Sequence, residues 1–314
     1  MANFETHGTH MMRCDAVLIA GPTASGKSAA ALALAHHISG ALINADAMQV
    51  YREAPILTAQ PDGEARAKAP HFLYGHVPVC EPYSVGRYVE DAREALAKAH
   101  AMGKIPILVG GTGLYFSALA EGLANVPPIP PETRARSRAL MEEIGVGELH
   151  ARLAERDAKT AAELRPTDSQ RVVRAWEVLE ATGRPLRHWR QAQTPPLLNE
   201  LKLARFVLDP PRPLLRLKIA ERFQSMLGHG GMDEALALAA LDPSLPAAKL
   251  LGLRPLIAYA QGRLSREEAI EEAVNATRQF AKRQLTWFRN RMADYVWFDP
   301  NESNIIAIYD DFSA

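Results

Sequence analysis

The segment Ala16–Ser28, AVLIAGPTASGKS, decides the fold of this chain. Its apolar start predicts a short buried strand, and the alanine-rich stretch Ser28–Ile38 that follows the glycine loop predicts a helix. The loop fits GxxxxGK[ST] in full, in the strand–loop–helix context that this pattern requires. Its residues are Gly21, Pro22, Thr23, Ala24, Ser25, Gly26, Lys27 and Ser28. The segment therefore predicts a phosphate-binding loop.

The residue types of this loop indicate its chemistry. Glycines let backbone N–H groups converge on phosphate oxygens at the N-terminus of a helix. Lys27 supplies a cation and the Ser28 hydroxyl can hold Mg²⁺, so Mg²⁺ is the expected cofactor. The pattern predicts a ligand that carries a diphosphate, but it does not say whether that ligand is a nucleotide.

Further strand and helix patterns extend this unit. The apolar stretches Ala41–Ala45 and Ile105–Val109 predict buried strands, and Val85–Met102 between them predicts a helix. Strands that alternate with helices favour a parallel sheet with helices on both faces. Such sheets bind ligands beyond the carboxyl ends of their strands, where the phosphate loop, Asp46 and Thr112 emerge.

A change of pattern marks a domain boundary. Pro127–Pro131 holds four prolines in five positions, which cannot continue a helix or a central strand. Helical patterns then fill the chain, and no convincing strand precedes Leu203–Leu208. The predicted fold class is α/β: a P-loop NTPase-like parallel sheet flanked by helices, with an inserted all-helical domain. The predicted limits are a disordered lead-in over 1–14, a core over 15–122 and 192–314, and the insertion over 123–191.

Secondary structure within these later parts is also predicted from the pattern. The helices expected in the insertion are Glu132–Ile144, Gly147–Asp157, Lys159–Leu164 and Ser169–Thr182. Those expected in the C-terminal part are 213–228, 232–240, 247–261 and 265–291, before a last strand Val296–Phe298.

Composition narrows the function classes. Lys plus Arg and Asp plus Glu both total 36, so no net field attracts nucleic acid or an anionic membrane, and any polyanion needs a local patch. Cys14 and Cys80 cannot form a disulfide framework and lack zinc-ligand spacing, which favours a reducing compartment. No apolar stretch approaches the ~18 residues of a membrane span. We expect a cytoplasmic protein that does not engage a membrane.

Asp46 follows the second predicted strand, within the segment Asn44–Arg52, and so faces the phosphate loop. In a kinase-like fold this is the place of a catalytic base or a metal-binding carboxylate. An aspartate is also a favoured N-cap for a following helix. Position alone leaves both interpretations open.

Several segments together resemble the tRNA dimethylallyltransferases, in the right order and over nearly the whole chain. They are Gly21–Ser28, Asn44–Arg52 with Thr58–Pro61, Gly110–Tyr115 and Thr277–Arg289. The resemblance implies transfer of a dimethylallyl group from dimethylallyl diphosphate to N6 of the adenosine 3′-adjacent to the anticodon (position 37), in tRNAs that read codons beginning with U. It also implies that the phosphate loop grips an isoprenoid diphosphate.

The resemblance implies roles for single residues. Asp46 would take a proton from the adenine amine, a poor nucleophile whose lone pair is delocalised. Thr112, in the family's GGTG motif, would orient the amine or the diphosphate; from the residues alone, a tight turn that caps the next helix is the alternative. Arg222 matches the second of two family arginines and would stabilise the leaving diphosphate. Lys218 stands in place of the first and keeps charge without bidentate geometry.

The resemblance also implies a tRNA-binding set. Its members are Asp46, Ala47, Met48, Gln49, Thr112, Arg134, Gln170, Arg171, Val172, Val173, Arg174, Arg278, Lys282 and Arg283. Ala47 and Gln60 depart from the family's usual serine and lysine. The stretch Arg278–Arg291 is basic without one acidic residue and surrounds Trp287 and Phe288, which could stack on unpaired bases. A buried aromatic stripe with cations facing outward is the alternative.

The expected partners are dimethylallyl diphosphate and the anticodon stem-loop of tRNA, with no obligate protein partner and a monomeric state. Three other functions stay open at this stage. A small-molecule kinase would use ATP at the same loop, although Thr277–Arg289 argues against it. A transferase acting on free AMP or ADP would not need the helical insertion. A non-enzymatic RNA-binding protein would not need Lys27 and Asp46 to face each other.

Overall fold

The computed structural model describes residues 14–190 and 195–313. The predicted lead-in therefore lies outside the described residues, apart from Cys14. Cys14 is buried, and its Sγ lies 3.2 Å from the hydroxyl of Tyr309. This residue belongs to the folded core, so the expectation of disorder is wrong for it.

Among the described residues, one sheet of six strands forms the centre of the larger compact unit, which comprises residues 14–118 and 200–313. The strands are β1 Ala16–Ala20, β2 Gly40–Asn44, β3 His71–Phe72, β4 Ile105–Gly110, β5 Leu203–Leu208 and β6 Val296–Phe298. Their order is β3-β2-β4-β1-β5-β6, and all pairings between these strands are parallel. Every residue of β1 and β2 is buried, as expected when helices cover both faces. The predicted α/β class is confirmed.

Helices account for most of the remaining structure. They are α1 Lys27–His37, α2 Gly63–Lys68, α3 Val85–Ala101, α4 Gly113–Glu121, α5 Pro131–Arg156, α6 Ala158–Glu163, α7 Ser169–Thr182, α8 Leu186–Arg190, α9 Arg212–Gly228, α10 Gly231–Ala237, α11 Leu253–Ala260, α12 Arg266–Arg291 and α13 Ile305–Ser313. None of these helices has the length and apolar character that a membrane crossing requires.

The helix predicted over 247–261 is wrong. Pro246–Lys249 forms a 3₁₀ turn, and α11 begins only after Gly252. Gly252 has φ +86°, and a Cβ there would lie 2.7 Å from the ring of Phe223. The chain needs a glycine in the left-handed conformation at this point, which interrupts the helix.

The helix α12 begins with a complete capping box. The Ser265 hydroxyl accepts a hydrogen bond from the Glu268 N–H at 3.2 Å, and the Glu268 carboxylate accepts one from the Ser265 N–H at 2.7 Å. This arrangement satisfies two backbone donors that would otherwise lack helical partners. It fixes the start of a helix that lines the candidate site from Thr277 onward.

Residues 119–190 and 195–199 form the second compact unit, whose described elements are the end of α4 and the helices α5 to α8. Gly145, with φ +79° and ψ 160°, breaks α5 where the sequence predicts two helices. Leu149 and Leu153 from α5 pack with Val172 and Trp176 from α7 in a separate apolar core. This core holds the unit together independently of the sheet.

The carboxyl ends of β2 and β4 approach each other closely. A Cβ on Gly110, the last residue of β4, would lie 2.1 Å from both the carbonyl carbon and the carbonyl oxygen of Ala45. These are backbone atoms, which cannot move aside as a flexible side chain could. Only glycine therefore permits this approach, which brings the Gly110–Tyr115 segment beside Asp46.

We predict that Gly110→Ala destabilises the protein by at least about 4 kcal/mol or prevents folding, because the new methyl group overlaps backbone atoms. Urea unfolding followed by circular dichroism measures this. Gly63→Ala is the control, since a Cβ there meets nothing within 4 Å, and it should change stability by no more than about 1 kcal/mol. Equal stability of the two variants would show that the backbone can relax at Gly110.

Candidate active site

The phosphate loop lies between β1 and α1, as predicted. Gly26, the N-cap of α1, has φ +89°, which favours glycine although a Cβ would meet nothing within 4 Å. The Ser25 hydroxyl is buried without a hydrogen-bond partner in the described structure. Leaving such a group unpaired costs roughly 1–3 kcal/mol, so the loop is suited to a ligand that brings hydrogen-bonding oxygens.

Lys27 is almost fully withdrawn from solvent. Its Nζ donates to the carbonyl of Pro22 at 3.4 Å. Burial lowers the pKa of Lys27 to about 8; the carboxylate of Asp46 opposes this shift and the guanidinium of Arg222 adds to it. Lys27 is therefore a cation at neutral pH and begins to lose its charge slightly above it.

Arg222, on α9, reaches the same loop. Its Nη2 donates to the Thr23 hydroxyl at 2.5 Å. Burial lowers the pKa of Arg222 while Asp46 raises it, and a guanidinium remains charged under these influences. Lys218, one turn earlier, is half-buried and donates to Asn301 Oδ1 at 3.1 Å. Both basic positions of the family pattern line the pocket that contains Lys27 and Ser28, and Arg222 also lines the cleft beside Asp46.

Asp46 is fixed by its own neighbours rather than by a helix. Its N–H donates to Asn44 Oδ1 at 2.9 Å, and its Oδ1 accepts from the Met48 N–H at 3.0 Å. The next helix, α2, begins only at residue 63, so the N-cap interpretation is wrong. Asp46 lines one cleft together with Thr23 and Arg222. A carboxylate and a guanidinium therefore face the same space.

Thr112 braces the segment that carries Asp46. Its Oγ1 accepts from the Ala47 N–H at 2.9 Å, and its own N–H donates to the Ala45 carbonyl at 3.1 Å. A hydroxyl that accepts one hydrogen bond still has a proton to donate. The hydroxyl is thus bonded to Ala47 in the described structure, rather than to the start of α4 as the turn interpretation requires.

Gln284, on α12, connects two parts of the site. Its Oε1 accepts from the Thr23 N–H at 2.9 Å, and its Nε2 donates to the Gly111 carbonyl at 2.8 Å. The side chain is buried. This role has no local sequence signal, because a glutamine amid cations on a helix is typical of an exposed position. Only the three-dimensional contacts show it.

A cleft opens beside Asp46. Its lining is mixed, with a few polar groups and a larger apolar wall. The lining residues are Thr23, Asp46, Met48, Leu57, Thr58, Ile219, Arg222, Phe223, Met226, Leu250, Leu251, Thr277 and Phe280. Arg222 also lines a second pocket that contains Lys27 and Ser28. The guanidinium therefore lies between a phosphate-binding pocket and a cleft that has both polar and apolar lining.

The loop that supplies Leu57 and Thr58 is held from two sides. Glu234 of α10 accepts from the N–H groups of Ile56 and Leu57 at 2.9 and 2.7 Å. Gln49 Nε2 donates to the carbonyls of Thr58 and Ala59 at 2.9 and 2.8 Å. Gln49, predicted to contact tRNA, thus has its amide nitrogen engaged in fixing this wall.

The basic stretch of α12 presents part of its charge to solvent. Arg278, Lys282 and Arg283 are exposed, while Phe288 is fully buried. The half-buried Trp287 packs against Gly113, where a Cβ would lie 2.1 Å from its ring. For Phe288 the interpretation as a buried aromatic is confirmed.

The helical unit exposes its own polar candidates. Gln170 and Arg171 are exposed on α7, and Arg134 is exposed near the start of α5. Arg174 is half-buried and pairs with Glu177 at 3.4 Å. In contrast, Val172 and Val173 are buried in the core of this unit. We reassign these two side chains from the predicted tRNA-binding set to packing.

Comparison with known proteins gives matches along most of the chain. The family described as IPP transferase matches residues 49–291. A tRNA dimethylallyltransferase of Rhodopseudomonas palustris is 49% identical over 94% of this chain and 92% of its own length, and one of Azorhizobium caulinodans is 50% identical over 91% and 92%.

Solved structures agree with these matches. The full-length tRNA isopentenylpyrophosphate transferase of Bacillus halodurans superposes with a TM-score of 0.67 at 32% identity, covering 96% of this chain and 95% of that one. A eukaryotic dimethylallyltransferase acting on tRNA gives a TM-score of 0.77 at 26% identity, covering 90% and 73%. The resemblance inferred from the sequence segments is confirmed.

We predict that affinity for inorganic diphosphate depends on the protonation of Lys27. Relative to Lys27→Met, the wild-type affinity should fall about tenfold per pH unit above pH 8, because the anion binds the protonated amine. Calorimetry between pH 7 and 9.5 at constant Mg²⁺ measures both proteins, and their ratio cancels titration of the ligand. Lys98→Met, at an exposed position, is the control and should match the wild type. A ratio independent of pH would contradict the role of Lys27.

Proposed function

This chain belongs to the IPP transferase family, and we propose that it transfers a dimethylallyl group from dimethylallyl diphosphate to N6 of adenosine 37 in tRNA. The adenosine is the one 3′-adjacent to the anticodon, in tRNAs that read codons beginning with U. Diphosphate is the second product. The proposal combines the family assignment with the chemistry of the cleft.

The position of Arg222 carries this proposal, because it lines both the pocket that contains Lys27 and the cleft that combines Asp46 with an apolar wall. The phosphate loop and the two cations suit a diphosphate, and the apolar wall suits a short hydrocarbon chain attached to it. A kinase would need room for a nucleotide base and ribose instead. The carboxylate of Asp46 borders the space where the hydrocarbon chain of the donor would join its diphosphate.

The residues of the cleft account for each part of the reaction. The N6 lone pair attacks the allylic C1, the C1–O bond breaks, and its electron pair passes to the diphosphate oxygen. Asp46 takes the proton that N6 must lose. Lys27, Arg222 and the loop amides stabilise the charge that develops on the diphosphate. Thr112 holds the segment of Asp46, and its hydroxyl proton would orient the amine or the diphosphate.

The site also suits Mg²⁺ bound mainly through its substrate. Within residues 14–190 and 195–313, no group of three or more His, Cys, Asp or Glu side chains could hold a metal ion. Mg²⁺ often keeps several waters and binds one or two protein oxygens plus phosphates. The exposed hydroxyl of Ser28, in the pocket with Lys27, would supply such an oxygen. When bound, the ion would neutralise diphosphate charge.

We assign tRNA binding to polar side chains on both units, all of them exposed except the half-buried Arg174. In the larger unit these are Arg278, Lys282 and Arg283 of α12, and in the helical unit Arg134, Gln170, Arg171 and Arg174. Their arginines and lysines can take phosphates, and a loop base such as adenosine 37 is extruded at lower cost than a paired one. Met48 and the backbone of Ala47 border the acceptor side.

We also place the protein in the cytoplasm, as a monomer. Its two cysteines are free, in keeping with a reducing compartment.

A transfer assay tests the function directly. The protein is incubated with Mg²⁺, an unmodified tRNA with adenosine at position 37, and either labelled dimethylallyl diphosphate or γ-labelled ATP. Isoprenoid label should appear in tRNA and not in AMP offered as acceptor. A tRNA with guanosine at position 37 is the control and should stay unlabelled. Turnover of ATP alone, with no isoprenoid label in tRNA or AMP, would favour a kinase or ATPase.

We predict that Asp46→Asn lowers the rate constant for transfer by about 10²–10⁴-fold, because the amide cannot accept the amine proton. Binding of tRNA, measured by filter retention, should stay within a few-fold of the wild type. Asp62→Asn, at the N-cap of α2, removes a carboxylate outside the site and is the control. Loss of tRNA binding with unchanged turnover of bound tRNA would remove Asp46 from the role of base.

A further inference from the structure

One buried amide contacts both halves of the site. Gln284 accepts from the Thr23 N–H in the phosphate loop and donates to the Gly111 carbonyl, so both ends of its side chain are engaged. Its two partners come from segments 261 and 173 positions away in sequence. Both are main-chain groups adjacent to the residues that would handle the leaving group and the acceptor.

On the phosphate side, Gln284 fixes the position of Thr23. The Thr23 amide is occupied by Gln284 at 2.9 Å, so it is not the loop donor left for a phosphate oxygen. The Thr23 hydroxyl in turn accepts the hydrogen bond of Arg222 at 2.5 Å. The position of Gln284 therefore fixes the residue against which the diphosphate-binding guanidinium is held.

On the acceptor side, Gln284 contacts the Gly111 segment, which lies beside Asp46 and leads into Thr112. A Cβ built on Gly111 would lie 2.2 Å from Gln284 Nε2 and 3.3 Å from Asp46 Oδ2, so the amide, the glycine and the carboxylate are neighbours. Gly111 also precedes Thr112, whose hydroxyl holds the Ala47 N–H. A shift of Gln284 would therefore also displace Asp46, the proposed base, and Thr112, which holds the segment of Asp46.

We propose that Gln284 is a positioning residue that keeps the diphosphate-binding loop and the Asp46–Thr112 acceptor side in register for the transfer. The inference rests on the proposed function and extends it to a residue with no direct part in the chemistry. A misplacement of about 1 Å between reacting groups can cost 10²-fold in rate. A single amide that spans both sides is well placed to prevent such a misplacement.

The substitution Gln284→Met tests the role, because methionine has a similar length and lacks both polar ends. We expect kcat to fall at least tenfold and the Kd for inorganic diphosphate to rise at least threefold, with an unchanged far-UV circular dichroism spectrum. Gln224→Met is the matched control, since Gln224 is an exposed glutamine on α9. It should leave both values within twofold of the wild type.

The substitution Gln284→Glu separates positioning from loss of packing. A protonated carboxyl group can donate to the Gly111 carbonyl and accept from the Thr23 N–H, as the amide does, whereas the carboxylate cannot donate. The ratio of its kcat to that of the wild type should therefore rise at least fivefold between pH 8 and pH 6. Gln224→Glu should give a constant ratio. A role in packing alone would not depend on this proton.

The outcomes distinguish this inference from the proposed function. If the wild type fails to label tRNA, the proposed function fails, while the diphosphate affinity of Gln284→Met still tests whether the amide holds the loop. If the wild type is active, a kcat of Gln284→Met within twofold of it overturns the inference. A pH-independent ratio for Gln284→Glu also overturns it, and this measurement decides the matter if Gln284→Met does not fold.

Discussion

Two cations, the buried Lys27 and the half-buried Arg222, face one carboxylate, Asp46, and the rest of the site depends on this excess of positive charge. Burial lowers the pKa of both cations, and Asp46 only partly opposes the effect. The positive charge of the site thus exceeds the negative charge that its own groups supply. A diphosphate supplies the missing negative charge. Its binding therefore relieves the unfavourable burial and mutual repulsion of the two cations, and this relief favours binding.

The sheet makes this arrangement possible. The strands β2, β4 and β1 are neighbours, and because they are parallel their carboxyl ends release Asp46, the Gly110–Tyr115 segment and the phosphate loop at one edge. Gly110 allows the first two to come into backbone contact. The helices α9 and α12 then close the site from the C-terminal half of the chain with Arg222 and Gln284. The site therefore requires both sequence segments of the larger unit.

The sequence predicts those parts of this arrangement that have local signals. Strands such as Ala16–Ala20 are short, apolar and bounded by turn residues, and the phosphate loop has a defined pattern. Asp46 could be placed because parallel strands end at one edge. Gln284 and the apolar lining of the cleft could not, because their roles arise from contacts between residues far apart in the chain. The break at Gly252 depends likewise on the nearby ring of Phe223.

Burial decides between interpretations that the sequence leaves open. Val172 and Val173 lie within a segment that resembles a tRNA-contacting motif, yet their side chains pack in the helical core. Phe288 lies among cations and is still fully buried. A motif marks a segment, and only the fold determines which of its side chains reach the surface.

Main-chain groups form one end of the site and side chains form the other, and the two ends should evolve at different rates. Main-chain groups of the loop, fixed by glycine geometry and by Gln284, form much of the diphosphate end. Side chains such as Met226, Leu250 and Phe280 form the apolar wall. A single substitution can reshape a wall of side chains, whereas a change of main-chain geometry needs coordinated replacements. Selection can therefore alter which length of prenyl donor the cleft accepts, while the diphosphate chemistry stays the same.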